Sequence, residues 1–289
     1  MKVSPEGQLV GATYLGGSGE DGATLIAVAP NGSVAISGTT QSTDFPGISG
    51  IASSTAPASF VTSIFISLTV LNAASYVPNT IAPGEIVSLL GYGLGPDAGV
   101  AATSGATLPT ELAGVQVSFG GLPAPPLYAQ AHVINAQVPW ELAGETSTTV
   151  AVSYPGVASM GTPVIVGQSL PGLFGVGNSD GTQDSPSNPA KPGDFITIYG
   201  TGGGPTSPAG VTGAFWPQTA SLPLLVLPVT VMVAGENAKV LYAGASPLSS
   251  SGIFQINALL PSDLQASPAS SLVLIIDGTS SAAAPVAIQ

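Results

Sequence analysis

Pro83-Gly-Glu-Ile-Val-Ser-Leu-Leu-Gly91, followed by Gly95-Pro96, returns 109 residues later as Pro192-Gly-Asp-Phe-Ile-Thr-Ile-Tyr-Gly200, followed by Gly204-Pro205. In each copy Pro and Gly form a turn, the alternating residues predict a strand with one buried face, and the closing glycines allow the backbone positive φ before it reverses. Two further blocks recur in the same order. Val115-Gln-Val-Ser-Phe-Gly-Gly121 with Leu127-Tyr128 returns after 114 residues as Val229-Thr-Val-Met-Val-Ala-Gly235 with Leu241-Tyr242. Ile134-Asn-Ala-Gln-Val-Pro139 returns after 122 as Ile256-Asn-Ala-Leu-Leu-Pro261. The offset grows only between blocks, so loops lengthen while the elements keep their order, which marks two copies of one domain. A copy of roughly 100–120 residues, punctuated by turn signals, has the size and rhythm of an immunoglobulin-like sandwich.

Working outward, short β-branched and apolar runs between Gly, Pro, Asn and Asp clusters predict strands at 24–29, 33–38, 86–90, 115–119, 148–153, 195–199, 229–233 and 272–276. Amphipathic helical spacing is not sustained anywhere. Pro109-Thr-Glu-Leu112, Pro139-Trp-Glu-Leu142 and Pro261-Ser-Asp-Leu264 offer single helical turns, since Pro suits a first helical position. The fold class is therefore all-β. The segment 1–69 follows a different pattern: a strand, an Asn31-Gly32 hairpin turn, a second strand, a loop through Ser42-Thr-Asp-Phe-Pro46, and a further strand over Phe60–Leu68, about one four-stranded blade. The organisation read from the chain is a blade over 1–69, sandwich 1 over 70–168 and its duplicate, sandwich 2, over 169–289. Asn135 and Asn257, inside apolar runs, are expected to satisfy loop backbone groups.

Composition bounds the partners. The 289 residues carry 15 Asp and Glu against three lysines and no Arg, a formal charge of −12. Three scattered cations cannot track a phosphate backbone, which excludes nucleic acid as a partner. Only 6% of residues are charged, where about 25% is usual. Thirty-four Ser and 24 Thr cover the surface with neutral hydroxyls instead. Cysteine is absent, so no disulfide or thiolate metal site exists. A hydroxyl-rich, Lys-poor, Cys-free chain suits an extracellular or cell-surface setting. Met1-Lys2-Val3 leads directly into Ser4-Pro5-Glu6-Gly7 without the apolar stretch of an export signal, so an exported chain is expected to be part of a longer product. The apolar stretches Phe60–Leu71 and Leu222–Ala234 fall short of the ~18 residues of a spanning helix.

The catalytic inventory is thin. His132, the single histidine, lies in Ala131-His-Val-Ile at the edge of an apolar strand and reads as a packed or surface residue. Gly278-Thr-Ser-Ser-Ala-Ala-Ala-Pro285 resembles the nucleophile segment of subtilisin-like proteases, with Ser280 in the serine position, but the Asp and His segments of such enzymes are missing. Gly200-Thr-Gly-Gly-Gly204 lacks the Lys-Ser/Thr of a phosphate loop. Oxygen ligands for Ca²⁺ exist in Asn178-Ser-Asp-Gly-Thr-Gln-Asp184 and in Glu20-Asp21, although turn chemistry accounts for the first equally well. No cofactor is expected. Asn31-Gly-Ser33 matches the N-glycosylation triplet. Trp140 and Trp216 are the candidate ligand or interface residues. Trp140 lies inside a duplicated block, which favours packing, whereas Trp216, in Ala214-Phe-Trp-Pro217 between strands, is expected to be the exposed aromatic.

Tyr14–Asp21, Ile26–Gly32 and Gly38–Pro46 resemble the bacterial seven-bladed β-propeller repeat almost position for position. Residues 72–289, with Asn72-Ala-Ala-Ser-Tyr76, Ser185-Pro-Ser-Asn-Pro189 and Thr206-Ser-Pro-Ala-Gly210, resemble the uncharacterised Solibacter-type C-terminal domain at the ends of large acidobacterial surface or secreted proteins. The strand and Gly-x-Gly elements are also similar to IPT/TIG immunoglobulin-like modules, which implies two tandem IPT/TIG-like β-sandwiches with an adhesive or spacer role. The family carries no established catalytic residues. A propeller closes only with several blades, so one blade leaves edges to be covered. The expected function is a non-catalytic extracellular structural protein that self-assembles through strand edges into a filament or surface layer, as a homo-oligomer or homopolymer. The alternative is a carbohydrate-binding or adhesin module with an exposed aromatic cluster around Trp216 and a glycan partner.

Overall fold

Alternating apolar and hydroxyl residues make this chain almost wholly β, and the computed structural model describes residues 2–3, 9–11, 14–28, 33–46, 57–65, 68–91, 93–103, 107–154, 157–159, 161–218 and 221–289. Among them there is no α-helix, only a 3₁₀ turn at Trp140–Leu142. Of the other two expected helical turns, Glu111-Leu112 is a strand and Pro261–Leu264 an ordinary turn.

The N-terminal part holds a small pair, β1 (Lys2–Val3) and β2 (Leu9–Gly11), and an antiparallel meander of β3 (Asp21–Val28), β4 (Ser33–Thr40) and β5 (Ala58–Phe65). The Asn31-Gly32 turn and the Asn31 glycosylation triplet lie outside the described residues.

Next come β6 (Thr69–Asn72), β7 (Thr80–Ile81), β8 (Ile86–Leu90), β9 (Val100–Ala101), β10 (Glu111–Leu112), β11 (Val115–Phe119), β12 (Leu122–Ala124), β13 (Pro126–Gln130), β14 (Val133–Gln137), β15 (Ser147–Tyr154), β16 (Val157–Ser159) and β17 (Thr162–Val166). One layer runs β6-β8-β14-β13-β9; the other is built on β11 and β15, flanked by β10, β12, β17 and β7. Between them Val87, Leu89 and Ile134 meet Val117, Phe119 and Val150, all essentially inaccessible. Burying a side chain such as Phe119 contributes about 1.5–3 kcal/mol.

The last third contains β18 (Gly172–Gly177), β19 (Phe195–Thr201), β20 (Thr206–Ser207), β21 (Leu224–Leu225), β22 (Val229–Val233), β23 (Glu236–Ala245), β24 (Phe254–Leu259), β25 (Ser267–Ile276), β26 (Thr279–Ser280) and β27 (Ala284–Ile288). Strand β23 serves both layers, pairing β22 near its start and β24 further on, so the sheet folds round a second core containing Ile198, Ile256, Val231 and Leu274.

The repeated blocks occupy corresponding strands in the same register. Ser88 pairs Asn135 as Thr197 pairs Asn257; Phe119 pairs Val150 as Val233 pairs Leu272. Gly120-Gly121 and Ala234-Gly235 make the same tight turn, both central residues at positive φ, as a two-residue hairpin of the primed type requires. One difference follows from proline. Pro123, Pro125 and Pro126 lack the N–H groups of a continuous ladder and split the first copy into β12 and β13, whereas the second copy has Asn237, Lys239 and Val240 there and keeps one ten-residue strand.

The blade is joined to sandwich 1. Strand β5 pairs in parallel with β16, so one sheet runs β11-β15-β16-β5-β4-β3. Among the described residues the meander has three strands, and β16 of the sandwich lies beside β5 as a fourth.

Candidate interaction site

The far side of the blade ends in β3, which among the described residues pairs only with β4. Leu25 pairs Ser37, and Ser37 pairs Val61, so these side chains share one face; Ile26, Ile36 and Thr62 share the other. On the second face Val34, Phe60 and Thr62 are buried, with Phe45 packed on Phe60 at 4.5 Å between ring centroids. Strand β3 itself is not covered on either face: Leu25 and Ile26 are 71% exposed and Val28 69%. It carries no Lys and no Pro, the usual guards of an exposed edge; its one irregularity is a bulge between Ala23 and Leu25.

The start of this edge is braced by the two ends of the blade motif. Asp21 Oδ2 accepts hydrogen bonds from Gly17 N–H and Ser42 Oγ at 2.8 Å each, and Asp44 Oδ1 accepts from Ser18 N–H at 2.8 Å and Ser18 Oγ at 2.9 Å. The Thr40 hydroxyl foremost holds the Asp21 carboxyl below its ordinary range; desolvation is the next largest effect and opposes it, and Gly17 N–H and Ser42 add to the lowering. Ser18 does the same for Asp44. The acidic pair read as possible Ca²⁺ ligands, Glu20-Asp21, therefore has one member committed to closing the loop.

The tryptophans lie elsewhere, between the sandwiches. Trp216 is only 6% exposed, which corrects the expectation of a free aromatic platform. The segment Ala214–Pro217 does not project: Trp216 N–H donates to Ser249 O, its Nε1–H donates to Ile253 O at 3.0 Å, and its ring meets the half-buried Trp140 edge-on at 6.4 Å. Trp140 Nε1–H donates to Ser251 Oγ at 3.3 Å, and Gln137 Nε2–H donates to the same oxygen at 2.8 Å. Thr201 Oγ1 accepts from Ile86 N–H and donates to Gly252 O, bridging the two halves again. Only glycine fits beside Trp140: a Cβ at Gly84 or Gly210 would land in its ring. The remaining gap, about 20 Å³, admits little more than a water.

Glu85, in the duplicated Pro-Gly-acid turn, is a residue whose environment the sequence does not announce. It is fully buried, whereas its counterpart Asp194 is exposed. Glu85 Oε2 accepts from Ala82 N–H at 2.6 Å, and Oε1 is buried without a partner. Burial pushes this carboxyl well above the ordinary range, outweighing the bonds from Ala82 and Asn72 that favour its ionised form.

The remaining candidates are dispersed. His132 sits at the β13–β14 turn of the first sandwich with Nδ1 3.3 Å from Gly91 O, and Ser280 at the exposed β25–β26 hairpin of the second. Asp180 Oδ1 accepts from Thr182 N–H and Oγ1, which lowers its pKa, and Asp184 accepts from Ala190 and Ala287 N–H groups. The carboxylate of Asp180 thus closes its own turn, and that of Asp184 ties the segment to the last strand, β27. Among the described residues no three His, Cys, Asp or Glu side chains cluster as metal ligands. Gly200–Gly204 packs against Leu170, Phe254 and Leu225. Asn135 and Asn257 do not serve loops, contrary to the sequence expectation: they stand on strands, Asn135 Oδ1 accepting from Ser88 Oγ and Asn257 Oδ1 from Gln255 Nε2. Asn72 does bind loop backbone: it accepts from Ala74 and Ser75 N–H and donates to Leu170 O.

No protein-family model and no curated protein matches the chain. Among solved structures, the chain is similar to SGBP-B of the Bacteroides ovatus mixed-linkage glucan utilization locus, in complex with mixed-linkage heptasaccharide, at 12% identity and TM-score 0.31, covering 92% of this chain and 54% of that one. A structure with xylogluco-oligosaccharide matches at 13% identity and TM-score 0.22, over 70% of this chain and 37% of that one. Domains 5–6 of the S-layer protein SbsC match at 13% identity and TM-score 0.25, over 78% and 97%. The chain thus spans about half the length of the first and little over a third of the second. The functional reading rests on the chain's own residues.

Proposed function

We propose that this chain is a non-catalytic, extracellular structural protein that assembles with copies of itself through the open edge of its blade, building a filament or surface layer. The observation that carries this reading is strand β3: eight residues long, paired among the described residues only with β4, exposed on both faces, and without a charge beyond Asp21 at its start. Unpaired N–H and C=O groups along such a strand accept another strand by main-chain hydrogen bonding, and Leu25, Ile26 and Val28 supply apolar area on either side of the new pair. A second copy suits this edge because the partner surface must be as poor in charge as β3, and the whole chain has a mean hydropathy of +0.48 with 6% charged residues. Contact between β3 and a different edge of the next copy repeats head to tail, and propagates unless the rotation closes a ring. Composition supports the extracellular setting: hydroxyls rather than charges keep the surface wet, and no cysteine depends on a reducing compartment. The resemblance to acidobacterial surface-protein domains points the same way.

Light scattering over a dilution series from micromolar to near-millimolar tests the reading. The weight-average mass should rise above the 28.2 kDa of one chain with concentration, and Ile26→Lys should hold it there. A wild-type chain that scatters as one copy throughout would overturn the proposal.

A further inference from the structure

Away from the blade, a groove of about 480 Å³ crosses the outer face of the β6-β8-β14-β13 layer where sandwich 2 meets it. Its walls carry two aromatic rings, Tyr76, 66% exposed, and Phe174, 47% exposed. Both are presented by irregular backbone. Tyr76 has φ of 58°, a left-handed conformation that a tyrosine rarely adopts, and the turn holding it is fixed by Asn72, whose side chain and carbonyl bind the N–H groups of Ala74, Ser75 and Tyr76. Phe174 is the extra residue of a bulge: Leu173 pairs Gly200 and Gly175 pairs Tyr199, which leaves Phe174 unpaired between them. Neither ring fills a core, and Phe174 also borders a second hollow of about 320 Å³ with Tyr199 and Thr182.

The floor decides what such a groove takes. It contains Ser88 and Asn135, whose side chains are hydrogen-bonded with Ser88 Oγ donating to Asn135 Oδ1; the Asn135 carbonyl is thus occupied and its Nδ2 hydrogens are left to a ligand. Leu90 and Ile253 add apolar surface, and no charged residue lines the groove among the described residues. Strand β8 is flanked by β6 and β14, so its backbone groups are consumed by the ladder and offer an extended peptide nothing to pair with. An anion finds no cation here and a cation no carboxylate. What matches flat rings, amide hydrogens and an uncharged wall is a ligand with apolar C–H faces and neutral hydroxyls. We infer that the Tyr76–Phe174 groove binds a neutral oligosaccharide, its sugar rings stacked on the two aromatics and its hydroxyls on Asn135. The two adjoining hollows suit a chain of several units.

Native affinity electrophoresis tests this with the intact chain in gels containing hydroxyethylcellulose, galactomannan, arabinoxylan or dextran. At least one polymer should retard the protein. Tyr76→Ala and Phe174→Ala should each weaken that retardation about tenfold, the equivalent of one lost stacking contact. Tyr76→Phe should preserve it, and unchanged thermal midpoints would show that the exposed variants fold. Ile26→Lys should bind sugar like the wild type, which keeps this test separate from that of the blade edge. Mobility unaffected by all four polymers, or alanine variants retarded as strongly as the wild type, would overturn the assignment. So would variants that change only the scattering mass, since the groove would then belong to a contact between copies.

Discussion

Replacing Glu85 by Gln should change how stability depends on pH. In the folded chain burial holds this carboxyl well above its ordinary range, so it keeps its proton; in the unfolded chain it releases the proton near its ordinary value of 4.5. The folded state therefore binds more protons in the window above 4.5. The stability this group contributes is complete below that pH and is lost as pH rises, until the folded-state carboxyl itself ionises. One proton of difference corresponds to a slope of at most about 1.4 kcal/mol per pH unit. Gln can still accept from Ala82 N–H and cannot ionise, so the variant should lose the slope and equal or exceed the wild type at pH 8. Urea unfolding followed by tryptophan fluorescence suits the measurement, because Trp140 and Trp216 both report the junction beside this turn. A wild-type stability that rises from pH 5 to pH 8, or a Glu85→Gln variant that keeps the wild-type slope, would refute the reasoning.

Phe119→Ala, which empties a fully buried ring site in sandwich 1, should cost about 3–5 kcal/mol by thermal or chemical unfolding. Gly210→Ala drives a methyl group into the Trp140 ring and should cost about 1–3 kcal/mol while shifting the fluorescence maximum toward that of exposed indole. Acidification should loosen the blade first: Asp21 and Asp44 have lowered pKa values, so their contribution is present above the ordinary value of 3.8 and is lost as pH falls through the folded-state values. Proteolysis of the 14–46 segment should accordingly accelerate at low pH, and Asp44→Asn should blunt that dependence.

Much of this fold is written in local pattern. The duplicated blocks expose their strands because each needs the same alternation and the same glycine turn, and the pairings Ser88–Asn135 and Thr197–Asn257 inherit one register from that repetition. Contacts between units were less legible. Trp216 reads as exposed because Pro217 and the absence of a strand mark a loop, yet that loop lies across the junction, held by Ser249, Leu248 and Ser251 some thirty residues on. The only trace of this in the sequence is that Gly84 and Gly210 stand where Trp140 needs room. The Tyr76–Phe174 groove escapes notice for a related reason. Its rings are presented by a positive φ and a bulge, neither of which has a period, and the residues come from both sandwiches. The blade edge sits between these cases: a single repeat predicts exposed edges, but that β16 covers one of them and that β3 pairs only with β4 among the described residues follows from long-range pairing.

Hydrogen–deuterium exchange of the segment 21–28, followed from dilute to concentrated solution, tests self-assembly through the blade most directly. Protection of these amides should grow with concentration while that of 229–233, deep in sandwich 2, stays constant, and Ile26→Lys should abolish the growth. Equal exchange of 21–28 at every concentration, in a sample that nonetheless forms large particles, would place the contact between copies elsewhere and contradict the account.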